Sequence, residues 1–436
     1  MAAMSDLLKD SPLGYFWLPG QHERQVPGAI VERDGVLQLE LIELLAEASD
    51  CSSTKGSAFY PVIHGWLSKG GAVSLYNCVS GNNESIPGNE WETCSFAYAI
   101  KQRQENAEDL HSDEASVDLL RLANVQLGGL AEWTRLNGLQ EQWHTDATAQ
   151  GGRRWTASYV LPEPRVYRVD SGLTVKLLAT CHFSNVGFLG LQLLQDVTLE
   201  VSFDEAMPFA ELESKVHSIR LLLMLLSGLE LRPTWNHVGR VSDAETLPVF
   251  RNHMPRLSAE PAHLQLRTLV PFEDISAELP ELFSKWDGVQ SAYGDAVATS
   301  LFTPYLAHTN ETKISNLVNA LVRYAEADAE KKVLVETVLD KTARLYLPTA
   351  SNEVVSAIKE RIEATRHYYT HFNPRKKEMA AEGAALANVV DFLDVINRCV
   401  LLEKLGLDRD RVLQWVHKSR EYGKRFRMER FKEFEA

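Results

Sequence analysis

The 436-residue chain has only five cysteines, and they are scattered. Cys51, Cys78, Cys94, Cys181 and Cys399 form no CxxC or CxxH pair, which argues against a zinc module or a disulfide framework. Reduced, mostly buried thiols are the expectation. No apolar run approaches the roughly 20 residues needed to cross a bilayer. The nearest, Leu221–Leu226, is bounded by Arg220 and Ser227-Gly228 and reads as a buried helix. The opening MAAMSDLLKD lacks a basic segment followed by an apolar one, so no secretory signal is expected and a cytosolic protein is. A Gly-rich phosphate loop is also missing, so neither a nucleotide-driven enzyme nor a cofactor is expected. His64, His182 and His237 are too dispersed to propose a metal site.

What remains is ordinary globular material, 45% hydrophobic and 24% charged, long enough for two or three domains with real cores. The net charge of −14 is unevenly spread. Residues 301–436 hold 23 Lys and Arg against 20 Asp and Glu, so the acidity belongs to residues 1–300. Two basic groups stand out in the last third: Arg375-Lys376-Lys377, and Lys418 to Lys432 with seven basic residues against two acidic ones. Solvated helix surface explains such runs more often than a polyanion does. If a polyanion binds, the C-terminal third is where it meets the chain.

The front of the chain reads as strands. Ala29–Val31, Val36–Leu41 and Ala72–Val79 are punctuated by Asp34-Gly35, Gly70-Gly71 and Gly81-Asn82-Asn83, which suit turns. VLQLEL at Val36–Leu41 alternates as a strand with one wet face does. Residues 101–118 are polar and read as a loop. Trp155–Leu161, Val166–Val169, Leu173–Ala179, Val197–Phe203, His237–Val241 and Leu264–Val270 are further strands. Asp204–Leu226 reads as a helix with Pro208 near its first turn. The front tryptophans (Trp17, Trp66, Trp91, Trp133, Trp155) fill a core or line a pocket. After about residue 275, Ile314–Ala325, Lys332–Leu345, Glu353–Phe372, Met379–Leu405 and Arg409–Arg427 carry helical periodicity. Ser351 or Asn352 suits the N-cap of the third of these, and Gly406 the C-terminal cap of the fourth. The expected fold class is α+β: a β-rich domain over 1–275, then an all-helical bundle over 276–436.

The candidate chemistry lies in Arg366-His367-Tyr368-Tyr369-Thr370-His371, followed by Phe372-Asn373-Pro374. Arg and His so spaced suit metal-free RNA cleavage. Imidazole accepts a proton from the ribose 2′-OH or supplies one to the leaving 5′-oxygen. A guanidinium opposes the charge developing on phosphate. The bare pattern recurs as Arg232…His237, Arg256…His263, Arg361…His367 and Arg411…His417. Pro233 and Pro255 place the first two outside strong helical patterns, whereas Arg411…His417 stays a rival. Five helical steps rotate roughly 140°, so an ideal helix does not align Arg366 with His371. A helix end, a distortion or a second copy of the chain is then required. His371 also reads as a hydrogen-bonded bundle histidine and Arg366 as a surface ion-pairing residue, with Tyr368 and Tyr369 as packing residues.

RHYYTH resembles the R-x4–6-H signature of HEPN ribonucleases, which favour a polar residue after the arginine, here His367; apolar Val412 after Arg411 fits less well. The flanking helices and LLEKLGL (Leu401–Leu407) resemble the Apea-type HEPN branch, associated with bacterial anti-phage abortive infection. GYFWLPG (Gly14–Gly20) with VPGAIVERDGVLQLEL (Val26–Leu41) is similar to the Apea-type N-terminal domain, and the likeness is loosest over about 100–270. The resemblance implies a HEPN bundle that forms a homodimer and brings two Arg/His pairs into one cleft. It implies an endoribonuclease leaving 2′,3′-cyclic phosphate and 5′-OH ends on RNA such as tRNA or mRNA, without cofactor or metal. Carried over by position, His371 transfers protons, Arg366 clamps phosphate and His367 assists. Arg375, Lys376 and Lys377 are placed to follow an RNA backbone. A toxic RNase in the bacterial cytoplasm, held in check by a front domain that senses a phage-derived trigger, fits this pattern. The other reading is a non-catalytic dimerisation and RNA-binding adaptor, because a fold outlives its chemistry.

Overall fold

The alternation in VLQLEL decides which way that segment faces. The computed structural model describes residues 13–33, 36–45, 58–68, 71–81, 85–86, 89–90, 92–101, 119–145, 153–185, 191–240, 246–251, 268–306, 308–348 and 350–426. In it, β3 (Val36–Leu41) buries Leu37, Leu39 and Leu41 and leaves Gln38 and Glu40 partly exposed. It belongs to a closed antiparallel barrel with β1 (Leu13–Trp17), β2 (Val26–Arg33), β4 (Phe59–Leu67), β5 (Gly71–Gly81) and β8 (Glu92–Ser95). The order is β4-β1-β2-β3-β8-β5, and β5 pairs back to β4. Phe16, Ile30, Leu39, Ile63 and Leu75 fill its interior. Gly65 lacks the Cβ that would strike the Phe16 ring. Inside the wall, the Glu92 carboxylate accepts from Tyr60 Oη and the Leu45 N–H, both at 2.9 Å, so the buried charge is held by donors. A short hairpin, β6 (Ser85–Ile86) and β7 (Asn89–Glu90), stands apart.

β5 also pairs with β9 (Tyr98–Lys101), and through it the barrel runs into a second antiparallel array. From β9 the order continues through β17 (Thr246–Arg251), β16 (Arg232–Arg240), β10 (Leu120–Gly128), β15 (Leu191–Met207) and β14 (Leu173–Asn185) to β13 (Arg165–Val169). A short helix, α1 (Leu130–Thr134), follows β10, and β11 (Leu139–Thr145) with β12 (Arg153–Tyr159) forms a separate hairpin. The helix expected from Asp204 begins later: Asp204–Met207 end β15, with Met207 in register with Leu120. Pro208 has no N–H for the ladder, and its φ of −59° turns the chain into α2 (Phe209–Ser227). The strand expected to reach Leu161 stops at Tyr159, and Val160 and Leu161 are exposed before Pro162. The expected turns 34–35 and 82–83, Gly70, and the polar stretch 102–118 lie outside the described residues, as do Cys51 and Trp91.

The last third is helical: α3 (Phe272–Ile275), α4 (Leu279–Tyr293), α5 (Asp295–Phe302), α6 (Asn310–Ala329), α7 (Val335–Tyr346), α8 (Asn352–His371), α9 (Gly383–Lys404), α10 (Arg409–Lys418) and α11 (Arg420–Arg425). The expected final helix is broken at Ser419, whose hydroxyl accepts from the Tyr422 N–H and starts α11. α9 opens at Gly383 rather than Met379. Gly406, at φ +95°, follows its end, with the Leu407 N–H on Leu402 O and the Gly406 N–H on Glu403 O. The chain is thus an α+β protein with a β-rich front and a helical C-terminal part. Among the described residues, no helix is long and apolar enough to cross a membrane.

The two parts meet at α2. Its Leu221–Leu226 run is apolar all round because β10 and β15 lie on one side and α5 and α9 on the other. A buried helix end must satisfy its free carbonyls, and here distant residues do so. The segment expected to be a strand at Leu264–Val270 is described only from 268. Its Leu269 and Val270 N–H groups donate to Ser227 O and Leu226 O. Arg398 of α9, 1% exposed, reaches Met224 O at 3.0 Å and Asp394 at 2.9 Å. Tyr305 and Tyr422 both donate to Gly228 O, at 2.9 and 2.7 Å. Arg425 holds the other oxygen of Asp394 at 2.9 Å.

Candidate active site at the end of helix α8

Helix α8 forms because Ser351 caps it, accepting from the Val354 N–H, and because Val355, Ile358, Ile362 and Thr365 recur on one buried face. Its end is tied down on two sides. Thr370 Oγ1 lies 2.8 Å from Ser315 Oγ on α6, and Thr365 Oγ1 accepts from the Ala381 N–H at 2.8 Å. The helix closes at Phe372, which is left-handed at φ +49°. The Asn373 side chain then accepts from the Arg375 N–H at 3.1 Å, and Pro374–Lys376 make one 3-10 turn.

Helical spacing brings His367 and His371 together, with ring centroids 5.4 Å apart. One turn earlier, Glu363 Oε1 is 3.8 Å from His367 Nε2, so Glu363, His367 and His371 form a row. His371 is exposed and His367 half-buried. Arg366 is not in that row, and among the described residues no hydrogen bond, ion pair or ring contact joins it to His371. It is half-buried, and its Nε is shielded from solvent without a hydrogen-bond partner among the described residues. Arg375 and Lys377 are exposed just beyond the helix end, with Lys376 partly covered. Tyr368 and Tyr369 contact each other edge-on at 4.8 Å, and burial pushes the Tyr369 hydroxyl pKa up.

The rival pair dissolves on inspection. Arg411 makes two bonds to Glu278, at 2.9 and 2.7 Å, and one to Asp274 O at 2.6 Å, and it lies 4.6 Å over Trp415. Its guanidinium fastens α10 to α3 and to Glu278 at the start of α4. Arg232 pairs with Glu230 at 2.9 Å on β16. Arg256 and His263 lie outside the described residues, so Arg366…His371 and the overlapping Arg361…His367 remain. Of the basic run from Lys418, Arg425 is committed to Asp394 and Glu421, and residues 427–432 lie outside the described residues. Among the described residues, no group of three or more His, Cys, Asp or Glu side chains is arranged to hold a metal ion. His64 is buried with Nδ1 3.0 Å from Ser74 Oγ, and burial lowers the pKa of His237 on β16. Burial raises the Cys78 thiol to about 12, an inert group in the barrel wall. Two residues of the site escaped the motif: Glu363, which the four-residue spacing to His367 would have revealed, and Phe372.

The helical part of this α+β protein thus presents a histidine row near Arg366, whose Nε has no hydrogen-bond partner among the described residues. The chain belongs to the Apea-type HEPN family: the model described as ApeA N-terminal domain 1 matches residues 12–286, and that described as Apea-like HEPN matches residues 305–411. No curated protein and no solved structure gives a significant match. The second matched span contains Arg366, His367, His371 and Arg375–Lys377, and it supports a HEPN-type abortive-infection effector. HEPN domains are generally ribonucleases that commonly dimerise and bind RNA.

Proposed function

We propose that this protein is a metal-independent endoribonuclease acting in anti-phage abortive infection in the bacterial cytoplasm. The reading is carried by the end of α8, where His371 is exposed beside His367 while Arg366 keeps an unpaired Nε. The ribose 2′-oxygen bonds to the adjacent phosphorus as the P–O5′ bond breaks. His371 takes the 2′-OH proton, and the second copy of the pair, brought by a homodimer partner, returns one to the 5′-oxygen. Arg366 bears on the phosphate, His367 beside His371 assists it, and Arg375, Lys376 and Lys377 follow the backbone. The helical domain takes over at about residue 276, and the front domain restrains it until a phage-derived trigger arrives.

The test is incubation of the purified full chain with total bacterial RNA in EDTA, beside a folded His371→Ala variant. Fragments ending in cyclic phosphate and 5′-OH are expected from the parent alone. Equal products from both proteins would remove His371 from the chemistry. No products from either, even with lysate of phage-infected cells added as the source of trigger, would favour the non-catalytic adaptor.

A further inference from the structure

Helix α8 closes on a residue that stability alone disfavours. A left-handed closing position is usually Gly or Asn, because a Cβ crowds the following carbonyl there. Here it is Phe372, at φ +49° and ψ +41°. Its side chain is also 82% exposed, more than any other large hydrophobic among the described residues. Strained backbone and solvated aromatic surface therefore coincide at one position, and among the described residues nothing compensates for either. The ring is not there by looseness, since the Thr370–Ser315 contact and the Asn373 turn fix the backbone on both sides. Neither neighbouring tyrosine is free in this way, because Tyr368 and Tyr369 are half-buried against each other.

The residues around Phe372 decide what the ring is for. His371 precedes it, and exposed Arg375 and Lys377 follow three and five residues later. Cations draw in a phosphate backbone, and a fixed aromatic face beside them receives a base. We propose that Phe372 is a specificity residue: it stacks on an unpaired nucleobase next to the phosphate at His371, so that the site selects single-stranded over double-stranded RNA. Paired bases in a duplex are stacked on one another and offer the ring no face. This inference rests on the RNA-cleaving reading above and adds the class of RNA.

The assay measures binding, so it separates the two ideas. Full-length protein carrying His371→Ala is titrated into a short labelled, unstructured oligoribonucleotide and into the same strand annealed to its complement. Adding Phe372→Gly should weaken single-strand binding about tenfold, within what one stacked base contributes, and leave duplex binding unchanged. Phe372→Trp should retain affinity. Folding is not at risk, because glycine suits the backbone there, and the thermal midpoint should hold or rise. Equal single-strand affinity with and without the ring would overturn the inference while leaving the nuclease reading intact. So would an equal loss on duplex, or loss of dimer in sedimentation, which would make the ring a contact between copies. Ring-dependent binding without cyclic-phosphate products from the parent chain, even with infected-cell lysate added, would instead sustain stacking and sink the nuclease. If no RNA binds, both fall.

Discussion

Replacing Arg398 with Met tests whether the front and helical parts are one mechanical unit. The guanidinium is 1% exposed and spends its hydrogen bonds on Asp394, the Met224 carbonyl and Tyr305 Oη. Burial disfavours its charged form, but Asp394, Tyr422 and Tyr305 outweigh that and hold its pKa above the ordinary arginine value. Methionine keeps most of the volume, so the loss is electrostatic. Removing one partner of a buried ion pair typically costs about 3–5 kcal/mol. Arg425 still holds Asp394 here, so the lower end, about 3 kcal/mol, applies. In a unit of 436 residues that lowers the thermal midpoint by roughly 3 °C. Amide exchange should then rise in the last turn of α2 as well as in α9, because Met224 lies on α2. Adding Asp394→Asn should restore part of the loss by removing the under-compensated carboxylate. A midpoint within 1 °C of the parent, or faster exchange confined to α9, would refute the reasoning.

Gly228→Ala meets two obstacles at the same joint, a φ of +74° and a new Cβ 2.5 Å from Tyr422 Oη. It should cost about 2 kcal/mol or more by thermal melting, whereas Gly288→Ala, in the interior of α4 with open space around it, should stabilise by about 0.5–1 kcal/mol. Burial lowers the pKa of His217 on α2, with a smaller contribution from Arg220, and its ring stacks on Phe302 of α5. A depressed histidine stabilises the fold above the unfolded value of about 6.5 and loses that stabilisation as pH falls through its folded value. His217→Phe should therefore flatten the decline in melting temperature as pH falls from about 6.5 toward the folded value, and an unchanged slope there would count against it.

Local patterns were legible because they are set within a few residues. The Leu37-Leu39-Leu41 alternation, the Ser351 cap and the Gly406 ending all follow from nearest-neighbour chemistry. The helix α4 was hidden by Pro280 and Gly288, and α5 spans only eight residues, so neither shows the repeated turns that periodicity needs. Closure of the barrel depends on β5 meeting β8 as well as β4, a pairing that no local spacing announces. At the site, the His367–His371 neighbourhood follows from helical repeat alone. Dismissing Arg411 required Glu278, 133 residues earlier in the chain. The joint around Arg398 left one readable trace, Asp394 and Arg398 four apart with Val395, Ile396, Cys399 and Leu401 around them, which signals a buried pair rather than a wet face.

The way the strands close has a consequence for how the front domain meets other molecules. One end of the thirteen-stranded array is consumed by the barrel, so among the described residues β13 is its single open border. That border is five residues long and carries exposed Arg165 and Arg168. Short, charged borders resist capture of a further strand. A peptide therefore finds little backbone on this array to zip onto, and runaway stacking of copies through it is suppressed. Whatever the array recognises, it reads with side chains and loops.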